Sequence, residues 1–134
     1  MPMQFEFVVD GPPVSQQTKN KIGLGQWKNS VRNAATKRWE IGTPFSGDVL
    51  VSITYFYIDS PPDVDNMTKP ILDALKGLIY IDDRQVSDLV CRKRDLNSDL
   101  RIQNPSALLS TRLRGSGQFL YINIRDASSQ EVSP

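Results

Sequence analysis

Val49-Leu50-Val51-Ser52-Ile53-Thr54-Tyr55-Phe56-Tyr57-Ile58, closed by Asp59-Ser60-Pro61-Pro62, decides the fold. The ten residues are rich in β-branched and aromatic types. Both alternating faces are apolar, which marks a strand covered on both sides and therefore a central one. Beyond the prolines, Met67, Ile71, Ala74, Leu75 and Leu78 fall on one face of a helix expected over residues 68–76, with Gly77 as its stop. Pro70 is tolerated only in a first turn, so this helix is expected to begin just before it. Residues 86–94 read as another strand, so the chain follows a strand-helix-strand path here.

The flanks extend the pattern. Residues 5–9 read as a short strand stopped by Asp10-Gly11-Pro12-Pro13, and residues 14–25 as a polar loop. Trp27, Val31, Ala35 and Trp39 recur every four residues, the stripe of an amphipathic helix over 26–41, and both tryptophans are expected in the core. Residues 97–117 show no period and read as a long loop or insertion. Phe119 to Arg125 alternate as a last strand, and 127–134 form a polar, flexible tail. The expected fold is a small α/β (α+β) domain over residues 1–126, a mixed sheet of about four strands packed with two helices.

The 134 residues are 39% hydrophobic and 23% charged, ordinary for a soluble globular protein. No apolar run approaches the roughly 18 residues of a membrane span. The first residues lack the basic and apolar regions of a signal peptide. Cys91, the single cysteine, has no partner for an internal disulfide, so a reducing cytoplasm is the expected home. It sits in a strand pattern as a small buried hydrophobe. The net charge of +1 hides segregation. Residues 15–40 carry six bases and one acid, residues 59–83 six acids and two bases, and residues 84–114 seven bases and three acids. An acidic centre between basic flanks suits a metal site that receives a polyanion.

That centre is Asp63-Val64-Asp65-Asn66-Met67-Thr68-Lys69, answered by Asp82-Asp83. In extended backbone Asp63 and Asp65 would share one face. Lys69 and Asp73 are four apart and stack on one helix face. The returning chain can then bring Asp83 beside Asp63 and Asp65. Two like charges about 4 Å apart repel by roughly 4 kcal/mol at an effective dielectric near 20. Converging carboxylates therefore need protons, basic partners or a cation. With no histidine in the chain, oxygen ligands point to Mg2+ or Mn2+ rather than zinc. An EF-hand loop from Asp63 would need Gly and Glu where Thr68 and Ala74 stand, so calcium binding of that type is excluded. A haloacid-dehalogenase-type phosphatase would place its Asp pair on an N-terminal strand of a larger domain, which Pro61-Pro62 and the chain length disfavour.

These runs, with Asp73-Ala74-Leu75 between them and Gln85-Val86 after them, resemble the RusA family of Holliday junction resolvases. Its signature is Asp-x-Asp-Asn-x-x-Lys, then Asp-Ala-Leu, then Asp-Asp-x-Gln-Val. The resemblance implies a homodimeric, Mg2+- or Mn2+-dependent bacterial or phage endonuclease that cuts four-way DNA junctions in recombination and repair, with no organic cofactor and no membrane. It puts Asp63, Asp65 and Asp83 at catalytic and metal-binding positions, with Asp82 a weaker candidate, and Lys69 at the essential lysine. DNA arms would meet Lys19, Lys21, Lys28, Arg32, Arg84, Arg92 and Arg94 through phosphates. A junction-binding protein of the same fold without activity is the alternative, and a metal-dependent phosphatase a weaker one. Family members are often shorter than this chain at residues 97–117.

Overall fold

Strands that are apolar on both faces go to the middle of a sheet, and the computed structural model, which describes residues 3–59 and 61–132, places 49–57 there. Parts of the expected N-terminal reading, the turn at 59–62 and the tail fall on Met1, Pro2, Ser60, Ser133 and Pro134, which lie outside the described residues. The strands are β1 (Gln4–Asp10), β2 (Val49–Tyr57), β3 (Val86–Asp95) and β4 (Phe119–Asp126), ordered β1-β4-β2-β3. β4 runs antiparallel to β1 and β2, while β2 and β3 are parallel. The parallel pair is joined by the helix α2 (Val64–Leu75), so the sheet is mixed and β3 is an edge.

One sheet face is covered by α1 (Lys21–Thr36) and α2. Phe7, Val31, Ile53, Met67, Ile71, Leu75 and Ile122 are fully buried there, with Trp27 and Trp39 close behind. The opposite face holds a smaller core of Phe56, Phe119 and Leu109, the last from α3 (Ala107–Leu113). The segment expected as a loop at 97–117 thus contains a third helix that covers the rear of the sheet. Ser106 caps it by accepting from the Leu109 N–H, and Leu109 is its buried residue.

Two helix starts differ from expectation. α1 begins at Lys21, inside the expected loop, because Asn20 accepts from the Gly23 N–H and so caps a turn that two glycines weaken. α2 begins at Val64, and Pro70 sits well inside it. A proline there leaves the carbonyl four residues earlier without its helical donor. That carbonyl belongs to Asn66, and it accepts instead from the Gln16 N–H at 3.0 Å. The freed carbonyl is thus satisfied, and the loop before α1 is fixed onto α2. At the far end Gly77 has φ +82°, the left-handed stop expected of it.

Candidate active site

Three local devices place the acidic residues along α2 and in the turn before β3. The first is the start of α2. Asp63 is its N-cap, with extended backbone, yet its carboxylate makes no capping bond. Asp65 is the second helical residue rather than part of an extended run, so the two aspartates follow the turn of a helix and not the alternation of a strand. Both carboxylates are exposed and meet no basic side chain or hydrogen-bond donor among the described residues.

The second device is one helical spacing. Lys69 Nζ lies 2.9 Å from Asp73 Oδ1, the expected i, i+4 pair, and 3.7 Å from Asp83 Oδ2. The other oxygen of Asp73 meets Lys28 of α1 at 3.4 Å. Burial pushes the Asp73 carboxyl up, but the two lysines outweigh it and hold it below the usual carboxylate range. The hydrogen bond to Asp73, then its charge, raises Lys69 above its ordinary value. Lys69 is therefore a firmly protonated cation and a poor general base.

The third device is Gln85, which shapes the turn that carries Asp83. Its Oε1 accepts from the N–H groups of Ile81 (2.7 Å) and Asp82 (3.0 Å), and its Nε2 donates to the carbonyls of Phe45 (2.7 Å) and Gly47 (2.8 Å). Asp82 is turned into this frame. Its carboxylate caps the short 3-10 turn Asp83–Gln85 by accepting from the Arg84 N–H, and it also pairs with the Arg84 guanidinium. The backbone bond from Arg84 is the main reason its carboxyl lies below the usual range. Asp83 faces the other way. One of its oxygens approaches Lys69, and Oδ1 is buried with no hydrogen-bond partner. An unpartnered buried acceptor costs about 1–3 kcal/mol, more when charged, so Asp83 is poised for a donor or cation.

Among the described residues no three acidic, cysteine or histidine side chains converge closely enough to hold a metal ion. The donor chemistry nonetheless suits a hard cation: two free carboxylates at the α2 start, and a third with an orphaned oxygen.

The basic residues scatter more widely. Lys19 and Lys21 stand exposed at the start of α1. Lys28 is engaged with Asp73. Arg32 donates to the carbonyls of Ala74 and Lys76 at the end of α2, where it satisfies backbone the helix leaves open. Cys91 Sγ lies 3.6 Å from the Val64 carbonyl, so Cys91 and, two residues on, Lys93 take the α2 side of β3, while Arg92 and Arg94 take the rear. The sequence offers Gln85 only as a letter of the signature and Lys93 only as one base among several in 84–114, and it carries no signal for the Gln16 contact. Strand alternation separates Lys93 from its neighbours, but only the Cys91–Val64 contact says which side it is on.

A family model described as endodeoxyribonuclease RusA matches residues 14–103, more than half of the chain. No curated protein matches it.

Proposed function

The chain belongs to the RusA family of endodeoxyribonucleases, and we propose that it resolves four-way DNA junctions by metal-dependent phosphodiester hydrolysis in recombination and repair. The observation that carries the reading is Asp83, with one oxygen on a protonated Lys69 and the other buried without a partner, in a chain whose Asp63 and Asp65 keep free carboxylates at the α2 start. Asp63, Asp65 and Asp83 would hold one or two Mg2+ or Mn2+ ions, which when bound polarise the scissile phosphate and lower the pKa of a water. Lys69 supplies fixed positive charge to the phosphate oxygens, oriented by Asp73, which Lys28 holds from the neighbouring helix. Lys93 faces the same side of the sheet and extends this charge toward the β3 edge.

Contacts to phosphate set register and not sequence, so the lysines at the start of α1 are assigned to the DNA arms. A two-fold junction needs two cuts, which a homodimer would supply. No helix among the described residues is long and apolar enough to cross a membrane; a cytoplasmic location follows from the DNA substrate and remains part of the proposal. The test separates chemistry from binding. Asp65→Asn should abolish junction cleavage while retaining junction affinity within a few-fold in a gel-shift assay. Cleavage by Asp65→Asn at the wild-type rate would remove Asp65 from the site.

A further inference from the structure

The rear of the sheet holds a cavity of about 700 Å3 that lies away from the acidic residues. Its accessible apolar surface comes from Leu100 and Ile102 before α3 and Tyr121 of β4, with Phe56 of β2 and Leu109 of α3 buried beneath them. Arg92 and Arg94 of β3 line it, and the segment before α3 adds Arg101 and Asp99. Among the described residues none of the three guanidiniums meets a carboxylate within 4.0 Å. Arg92 leans on the hydroxyls of Ser52 and Thr54 at 3.3 and 3.5 Å, and Arg94 reaches only the Lys93 carbonyl. Three like charges around one cavity are mutually repulsive unless an anion joins them. The planar guanidinium fork matches phosphate oxygens, and an aromatic and aliphatic floor beside it suits the face of a base. The volume falls within the range of nucleotide-sized ligand sites.

The position adds direction. Along the edge strand β3, Lys93 faces the α2 side and Arg92 and Arg94 face the rear, so positive charge runs over an open sheet edge into the cavity.

We propose that the rear cavity takes one unpaired nucleotide of a DNA strand, with its phosphate on Arg92, Arg94 and Arg101 and its base against Leu100, Ile102 and Tyr121. Asp99 on the same wall accepts from a base N–H. The assignment rests on the DNA reading above for its ligand class, and its site does not depend on the acidic residues.

The test is fluorescence anisotropy of the full chain with a labelled short oligothymidylate, in chelator so that no cleavage is read. Arg94→Glu with Arg101→Glu should weaken binding at least tenfold and reduce the slope of log affinity against log salt by about 0.7, the value for one single-strand phosphate contact. Lys37→Glu, a charge reversal elsewhere on the surface, should weaken it less than threefold. In the unaltered protein, amide resonances of residues 99–102 and Leu109 should shift on titration with the oligonucleotide. A double variant within threefold of wild type, or shifts that miss these residues, would overturn the proposal. Equal affinity for thymidine monophosphate would also overturn it, and make the cavity a free-nucleotide site. A protein that cuts no branched DNA but binds through the cavity loses the nuclease reading alone. A junction cutter whose oligonucleotide affinity ignores the double variant loses this proposal alone.

Discussion

Gln85 is the residue whose loss should be felt furthest from its own side chain. Its amide makes four hydrogen bonds to backbone groups of two segments, 45–47 and 81–82. A net value near 1 kcal/mol per bond, with the Ile81 side partly open to water, gives a loss of about 2–4 kcal/mol for Gln85→Ala. For a domain of this size that lowers Tm by about 8–16 °C. Gln85→Glu is sharper because it changes donors without changing shape. The carboxylate still accepts from Ile81 and Asp82 but turns an acceptor toward the carbonyls of Phe45 and Gly47. It should cost about 2 kcal/mol at pH 7, which places the folded carboxyl about 1.5 units above the free value, and recover as pH falls from about 6 to about 4.3. Urea denaturation at pH 7 and pH 4 reads both variants, each corrected for the pH effect on wild type. Because the same turn presents Asp83, both variants should lose more junction cleavage than junction binding. Gln85→Ala within 0.5 kcal/mol of wild type, or Gln85→Glu with no recovery in acid, would refute the idea that one amide organises this turn.

Further expectations concern the neighbours. Asp73→Asn removes the carboxylate that two lysines share and should cost about 1 kcal/mol near neutrality. Since Asp73 lies below its unfolded value of about 3.9, this stability is present above that pH and lost below it, so the variant and wild type should converge in acid denaturation. Lys69→Gln should lower the cleavage rate at least a hundredfold with no new pH optimum between 6 and 9, because the native lysine keeps its proton throughout that range; a shifted optimum would instead make Lys69 a base. Burial pushes the Cys91 thiol up to about 11, so the folded protein should resist iodoacetamide at pH 8 and react on unfolding. That raised value also means folded stability falls as pH rises from about 9 toward 11, and Cys91→Ala should remove that part of the alkaline loss. Met67→Ala empties a fully buried position between α2 and the sheet and should cost about 2–5 kcal/mol by chemical denaturation.

Strand alternation made the centre of the sheet readable, since Val49 to Tyr57 pack on both faces whatever surrounds them. The Lys69–Asp73 pair was readable because helix spacing alone creates it. Pro70 was misleading: the rule that confines proline to a first turn assumes an unsatisfied carbonyl, and a distant Gln16 N–H satisfies it. α1 starts early because a cap at Asn20 outweighs two glycines. α3 escaped notice because only seven residues form it and Leu109 alone is buried, too few to show a period. The acidic constellation was legible as residue types in order, but not in shape. Asp63 and Asp65 lie on a helix start instead of a strand, and Asp82 spends its carboxylate on a cap. Charge counts could not distinguish Arg32, which closes α2, from Arg92 and Arg94, which face a cavity; that difference arises only from tertiary packing.

The most direct test of the central claim is the cleavage pattern of a strand-labelled four-way junction against matched linear duplex, with Mg2+, with Mn2+ and with chelator. The account predicts paired symmetric nicks on the junction alone, dependent on metal and lost in Asp83→Asn. Binding without cleavage of any branched substrate in either metal, or cleavage that survives chelation, would contradict it.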